Sequence, residues 1–187
     1  MKEIKQGFII FILFSILTGL AYPVFVTGVA QIIWRDNANG SLIRVENKVI
    51  GSKLIGQSFT SAKYFHGRPS ATDYKGSISG ATNLGPTSKK LMEITENEIT
   101  KLRVENNLSK NVNIPGDLVL SSASGLDPHI SPESALLQAQ RVAKARGISL
   151  ENVKQLILKT KEKPQFKILG QRRINVLELN LSLDRIN

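Results

Sequence analysis

Between Asp117 and Pro132 the chain reads DLVLSSASGLDPHISP, the stretch richest in groups able to do chemistry. It sets Ser121, Ser122, Ser124, Asp127 and His129 in a loop that runs into Ser131-Pro132. A capping serine followed by proline at the first helical position is a strong helix start. The N-terminus of a helix offers unpaired N–H groups and the positive end of a dipole, which suits phosphate or carboxylate. Three chemistries fit these residues. They could form an anion or nucleotide site, with small residues letting the backbone approach the ligand. They could form a Ser/His/Asp hydrolase site. Or they could do turn and cap bonding, serine and aspartate satisfying nearby backbone. A triad is defined by geometry, so spacing leaves all three open. Neither G-x-S-x-G nor the phosphate-cradling G-x-x-x-x-G-K-[ST] occurs.

A second candidate is His66-Gly67-Arg68-Pro69-Ser70. The guanidinium of Arg68 could hold a carboxylate or phosphate with two parallel bonds. It could equally pair with a carboxylate of the chain itself, such as Asp73 or Asp127. With His66 and His129 the only histidines and no cysteine, no transition-metal site is suggested by spacing. The lack of cysteine also excludes disulfides and thiol redox chemistry.

These residues need a scaffold, and its elements are legible. Leu42 to Ile50 reads as a short hairpin turning at Glu46-Asn47-Lys48. Residues 56–88 hold seven glycines and prolines, punctuated by Phe59, Tyr64, Phe65 and Tyr74. The spacing predicts a long ordered loop there. Thr87 or Ser88 caps a helix over about 89–106, with Leu91, Ile94, Ile99 and Leu102 facing inward. The helix that starts at Ser131 stops at Gly147. Ser149 caps the next, with Leu150, Val153, Leu156 and Ile157 on one face, and Pro164 ends it. From Ile174 to Leu183 leucines at 177, 179, 181 and 183 alternate with polar residues, which predicts a half-buried strand. Helices and strands without a βαβ rhythm predict an α+β domain.

The scaffold is tied to a membrane. Gln6 to Trp34 is a run of 29 residues without a charge, bounded by Lys5 and Arg35. A bilayer core needs about 20 apolar residues. A cleaved signal peptide is the rival, with Gly19-Leu20-Ala21 as a cleavage-like triplet. The apolar run continues past it to Trp34, longer than a signal's apolar region, and Trp34 suits the headgroup interface. The predicted layout is an anchor over 1–35 and one soluble domain over 36–187. Ser15, Gly19, Pro23 and Thr27 recur every four residues and make a candidate helix–helix face. Pro23 is expected to kink the span, with Thr18 satisfying a freed carbonyl. Lysine and arginine counts on the two sides nearly tie. The signal-like layout favours a cytoplasmic N-terminus and an extracytoplasmic domain.

The chain carries 25 basic and 15 acidic residues, a net charge of +10. No basic stretch is interleaved with aromatics, so nucleic acid is not an expected partner. Anionic headgroups or an acidic protein fit a positive domain better.

Several blocks in one order carry a resemblance over nearly the whole chain. They are T-G-x-x-Y-P (Thr18 to Pro23), G-S-x-L-I-G-Q (Gly51 to Gln57), Y-F-x-G-R-P-S-A (Tyr64 to Ala71) and N-L-G-P (Asn83 to Pro86). S-G-L-D-P-H-I-S-P (Ser124 to Pro132), R-V-A-x-A-R (Arg141 to Arg146) and N-V-L-x-L-N-L-x-L-D (Asn175 to Asp184) complete the set. With them the chain resembles the C subunits of Kdp potassium-transporting P-type ATPases. Leu120 replaces an expected threonine, and Ala81-Thr82 an expected Gly-Ser. The resemblance implies a plasma-membrane accessory subunit without catalytic residues, partnered by an ATP-hydrolysing subunit and a potassium-channel-like subunit. It implies a chaperone-like role that raises the pump's ATP affinity, with no stably bound cofactor and ATP reached through the catalytic subunit. Nucleotide contact, if direct, falls on Ser124, Gly125 and Gln138. An extracytoplasmic domain would put those residues out of reach of cytoplasmic ATP. Segments 64–86 and 117–132 are then expected to form one surface toward the pump, with Arg68, Asn83 and His129 exposed on it.

Overall fold

The computed structural model describes residues 1–186. They form two compact units, Met1–Ile50 and a domain from Gly51 onward.

The first unit is dominated by one apolar helical run, Lys2–Ile33, long enough and apolar enough to cross a membrane. At 1.5 Å per residue it extends about 48 Å. It comprises α1 (Lys2–Ile16), a π turn over Leu17–Ala21 and α2 (Tyr22–Ile33). The π turn is how the backbone accommodates Pro23, which has no N–H to donate. Tyr22 N–H reaches back five residues to the Leu17 carbonyl. Thr18 does not take the role expected for it; its hydroxyl donates to the Phe14 carbonyl at 2.7 Å. Trp34 breaks the helical run with an extended φ of −130°. A single turn, α3 (Arg35–Ala38), follows, and the side chains of Gln31 and Asn39 bond each other across the break. The hairpin is present as β1 (Leu42–Val45) and β2 (Lys48–Ser52). Glu46 and Asn47 both have positive φ, the conformation a tight two-residue hairpin turn requires.

The domain is α+β, with helices dominant. Its core lies among α5 (Pro132–Arg146), α6 (Leu150–Thr160) and α7 (Val176–Asp184). A two-stranded antiparallel sheet, β3 (His129–Ile130) with β4 (Ile174–Asn175), closes it. Ala135, Ala139 and Val142 of α5 meet Val153 and Ile157 of α6 and Leu179 and Leu183 of α7, all fully buried. Ser131 caps α5 by accepting from Ser134 N–H, and Gly147 ends it at φ 68°. Ser149 caps α6 in the same way. Earlier in the chain, α4 (Lys89–Glu105) is capped by Ser88. Only its C-terminal half packs: Leu102 is buried with Leu118 and Val119, and Ile99 leans on them, whereas Ile94 is exposed. The inward set expected for that helix is therefore too long.

The strand expected over 174–183 is a correction. After two strand residues the chain turns into α7, because Asn175 caps it by accepting from Glu178 N–H. The buried positions of α7 are Val176, Leu177, Leu179, Asn180 and Leu183. That is helical spacing, hidden because Asn180 reads as polar and outward yet lies inside.

Residues 53–88 contain neither helix nor strand, yet they are ordered by the core they cover. Phe65 is fully buried in it. Two buried amides then serve this segment as a sheet neighbour would. Asn180 accepts from Phe65 N–H at 2.8 Å and donates to the Phe65 carbonyl at 3.0 Å. Gln138 treats His66 likewise, at 2.8 and 3.1 Å. Buried backbone must find partners, and here helix side chains supply them.

Candidate functional site

The two polar segments singled out in the sequence do come together. Gly80 N–H donates to the Ser124 carbonyl at 2.9 Å, and Gly56 N–H to that of Leu126 at 2.7 Å. The Ser70 hydroxyl donates to the Gly125 carbonyl at 2.6 Å. Gly125 is required at this crossing. Its φ is 69°, and a Cβ there would lie 2.6 Å from Thr72 Oγ1 and 2.8 Å from the Gly80 carbonyl oxygen.

Arg68 ties the segments electrostatically. Its guanidinium donates to Asp127 at 3.0 Å and reaches toward the carbonyls of Leu120 and Ser121, while Nε is buried without a partner. Of the two pairings open to it in the sequence, the internal one with Asp127 is formed. Asp127 also accepts from His129 N–H at 3.0 Å, and its carboxyl lies 3.5 Å from His129 Nδ1. Burial pushes the Asp127 carboxyl up. The hydrogen bonds from His129 and then the Arg68 guanidinium outweigh that, and its pKa falls to about 2. Tyr74 donates to the Arg68 carbonyl; burial, reinforced by the Asp127 charge, raises its phenol to about 12.

The helix N-terminus that invited an anion already holds one. Asp117 accepts from Ser131 N–H at 2.6 Å and from the Ser134 hydroxyl at 2.6 Å. The anion-binding reading of this terminus is thereby corrected: an internal carboxylate, 14 residues upstream of the cap, occupies the place. The hydrolase geometry is not assembled either. Among the described residues no serine hydroxyl hydrogen-bonds His129, whose Nε2 faces Glu162 at 3.9 Å. Ser124 Oγ accepts from Leu126 N–H.

Gln138 is fully buried, and every polar group it has is used. Besides His66 it bonds the Ser134 carbonyl and accepts from Arg141 at 2.8 Å. Ser124 is exposed, and Gly125 is buried. The three residues are thus not presented together on one surface. Asn83 is exposed with φ 54°, and His129 is half-buried. His129, Asp127 and Arg68 edge a cleft of about 570 Å³ that Lys163, Arg172 and Arg173 line from the other side. His66 stands apart. Its Nε2 donates to the Ser61 carbonyl at 3.2 Å. Burial and the nearby Arg141 lower its pKa, and Glu105, 3.6 Å from Nδ1, does not offset them.

In the membrane helix Ser15, Gly19, Pro23 and Thr27 are all exposed. The π turn falls within their span, so the four-residue alignment is interrupted at Gly19. No group of three or more His, Cys, Asp or Glu side chains is placed to hold a metal among the described residues.

Comparison with known proteins decides the family. The model of KdpC, the c chain of K+-transporting ATPases, matches residues 4–185. The chain belongs to the KdpC family. It is 46% identical to the potassium-transporting ATPase KdpC subunit of Bradyrhizobium diazoefficiens, over 99% of this chain and 98% of the relative. It is 48% identical to that of Polynucleobacter asymbioticus, over 98% and 99%. It is 45% identical to that of Mycobacterium tuberculosis, over 99% of each. The family match begins inside the apolar helix, so the family shares the span as well as the domain.

Sequence reasoning missed the residues that build this site from behind: Asp117, Gln138 as a clamp, Arg141, Arg146 and Asn180. Arg141 donates to the carbonyls of Ala62 and Tyr64, and Arg146 to that of Lys63 and to Asp184. The available signal was the RVAKAR block itself. Two arginines five apart on a helix full of alanine are poor surface decoration and good reach for carbonyls.

Proposed function

We propose that this chain is the accessory C subunit of an ATP-driven potassium uptake pump, anchored by its single span and acting without catalytic residues of its own. The observation that carries the reading is a family match that extends from residue 4 to 185, over both anchor and domain. The same match supports a plasma-membrane location, with an ATP-hydrolysing subunit and a potassium-path subunit as partners. The domain is taken to lie outside the cytoplasm, with the N-terminus inside. Its joined segments 64–86 and 117–132 present Asn83 and His129 to the pump, while Arg68 holds Asp127 behind them.

The effect on ATP affinity is read as chaperone-like and indirect. Gln138 has no free donor or acceptor and no exposed surface, so a direct contact through it would first have to dismantle the His66 clamp. No stably bound cofactor is assigned to the chain; ATP enters through the catalytic partner. The test is a reporter fused after Asn187 that is active only outside the cytoplasm, paired with ATP photo-crosslinking of the assembled pump. An external reporter signal and label confined to the catalytic subunit are expected. A cytoplasmic reporter with label on this chain near Ser124 would overturn the reading in favour of direct nucleotide contact.

A further inference from the structure

Beyond its role in a pump, the domain carries an exposed apolar tip that nothing in the chain covers. After α6 the chain forms a small hairpin. Glu162 and Arg173 exchange backbone bonds at its base, and their side chains pair at 2.8 Å. Gln165 and Leu169 exchange two backbone bonds of 2.9 Å at its neck. Phe166 and Lys167, at φ 53° and 68°, turn the chain between them. A bulky aromatic at positive φ is uncommon. The turn leaves Phe166 86%, Ile168 80% and Leu169 56% exposed. Flanking this tip in the sequence are Lys161, Lys163, Lys167, Arg172 and Arg173, with Glu162, paired with Arg173 at the base, the one acid between 161 and 173.

We infer that the Pro164–Gly170 hairpin dips into the headgroup layer of an anionic bilayer, Phe166, Ile168 and Leu169 entering the acyl boundary while the flanking lysines and arginines meet lipid phosphates. Three features favour lipid as the occupant. The same chain carries a helix long and apolar enough to span the bilayer, which makes the encounter intramolecular. An apolar point flanked by cations matches a surface that is negative outside and apolar just beneath. The neck's backbone groups bond each other, so entry does not strip the neck of hydrogen bonds. The inference depends on the anchor alone and stands whether or not the potassium-pump reading does.

The chain's single tryptophan makes a clean probe possible. Full-length protein carrying Trp34→Phe and Phe166→Trp is reconstituted into phosphatidylcholine vesicles with or without phosphatidylglycerol, using acyl chains brominated near the headgroup. A companion protein carries Trp34→Phe and Val104→Trp, a position 78% exposed on α4. In the anionic vesicles the indole at position 166 should shift to the blue and be quenched several-fold more than the indole at position 104. Adding Lys163→Glu and Lys167→Glu should return that quenching to the phosphatidylcholine level. Water-like emission from position 166 in both lipids overturns the inference. So does equal quenching at the two positions, which would mean that the domain merely lies on the vesicle. Burial that appears only when the other pump subunits are co-reconstituted also overturns it, and assigns the tip to a protein partner.

Discussion

Asp117 Oδ1 lies 2.6 Å from the hydroxyl of Ser134, a residue with no solvent exposure, and Oδ2 lies 2.6 Å from Ser131 N–H. One carboxylate thereby takes the N-cap N–H and the hydroxyls of Ser131 and Ser134, and ties the short helical turn Gly116–Leu118 to the start of α5. The loop that looked like a ligand site in the sequence is built around an internal anion.

Removing that anion should therefore be felt in stability. Asp117→Ala leaves the Ser131 N–H and the Ser134 hydroxyl without their acceptor, at a cost of about 1–3 kcal/mol. Asp117→Asn keeps one acceptor oxygen and should lose less. Denaturant unfolding of the full chain in detergent, followed by circular dichroism, measures both. Phosphate should not raise the wild-type midpoint. A clear rise would mean that the helix terminus is open to external anions after all.

The Arg68–Asp127–His129 arrangement predicts a pH dependence. The folded pKa of Asp127 is about 2, below the ordinary 3.8. A depressed carboxylate contributes stability that is present above the ordinary value and is lost as pH falls through the folded one. The stability difference between wild type and Asp127→Asn should then be greatest above pH 3.8 and shrink toward pH 2. Arg68→Lys should lower the melting temperature at neutral pH, since a single ammonium cannot reproduce the fork whose two ends reach Asp127 and the carbonyls of Leu120 and Ser121. Potassium uptake by the assembled pump should fall only with the amount of folded protein. A loss of uptake at unchanged melting temperature would return Arg68 to the partner surface.

Gln138 gives a sharper separation of fold from function. Gln138→Ala strands the N–H and carbonyl of His66 in the interior, each worth roughly 1–3 kcal/mol. The full chain should melt substantially lower. The KM for ATP of whatever complex still assembles should match wild type. An altered KM with normal melting would make Gln138 a nucleotide contact.

How much of this was legible follows from which interactions are local. Caps at Ser88, Ser131, Ser149 and the Gly147 stop depend on neighbours within one turn, and the sequence displays them. The apolar run announces the span for the same reason. The joining of segments 64–86 and 117–132 was expected only as a shared outer face. Its cause, Ser70 and Arg68 bonding Gly125 and Asp127 55 and 59 residues away, leaves no local trace. The misread strand over 174–183 has the same origin. Asn180 is polar by type and buried by partnership, and that partnership is with Phe65.

The membrane helix offers a test free of such long-range entanglement. A Cβ built at Gly19 meets nothing within 4 Å, so a larger side chain there costs the isolated chain no packing. The π turn that contains Gly19 is already formed around Pro23 and leaves its neighbours exposed. Any consequence of Gly19→Leu must then come from whatever approaches the helix. Between helices in lipid the gain comes from close backbone approach, which glycine permits and leucine blocks. Phe11→Leu, one step before Ser15 in the same four-residue series, changes a side chain that is also exposed and replaces one apolar surface with another without blocking backbone approach. Co-purification with the other pump subunits in detergent should fall markedly for Gly19→Leu and little for Phe11→Leu, at equal expression and equal domain melting. Equal yields from the two variants would remove the case for a helix–helix face at Ser15, Gly19, Pro23 and Thr27, and would leave assembly to the domain.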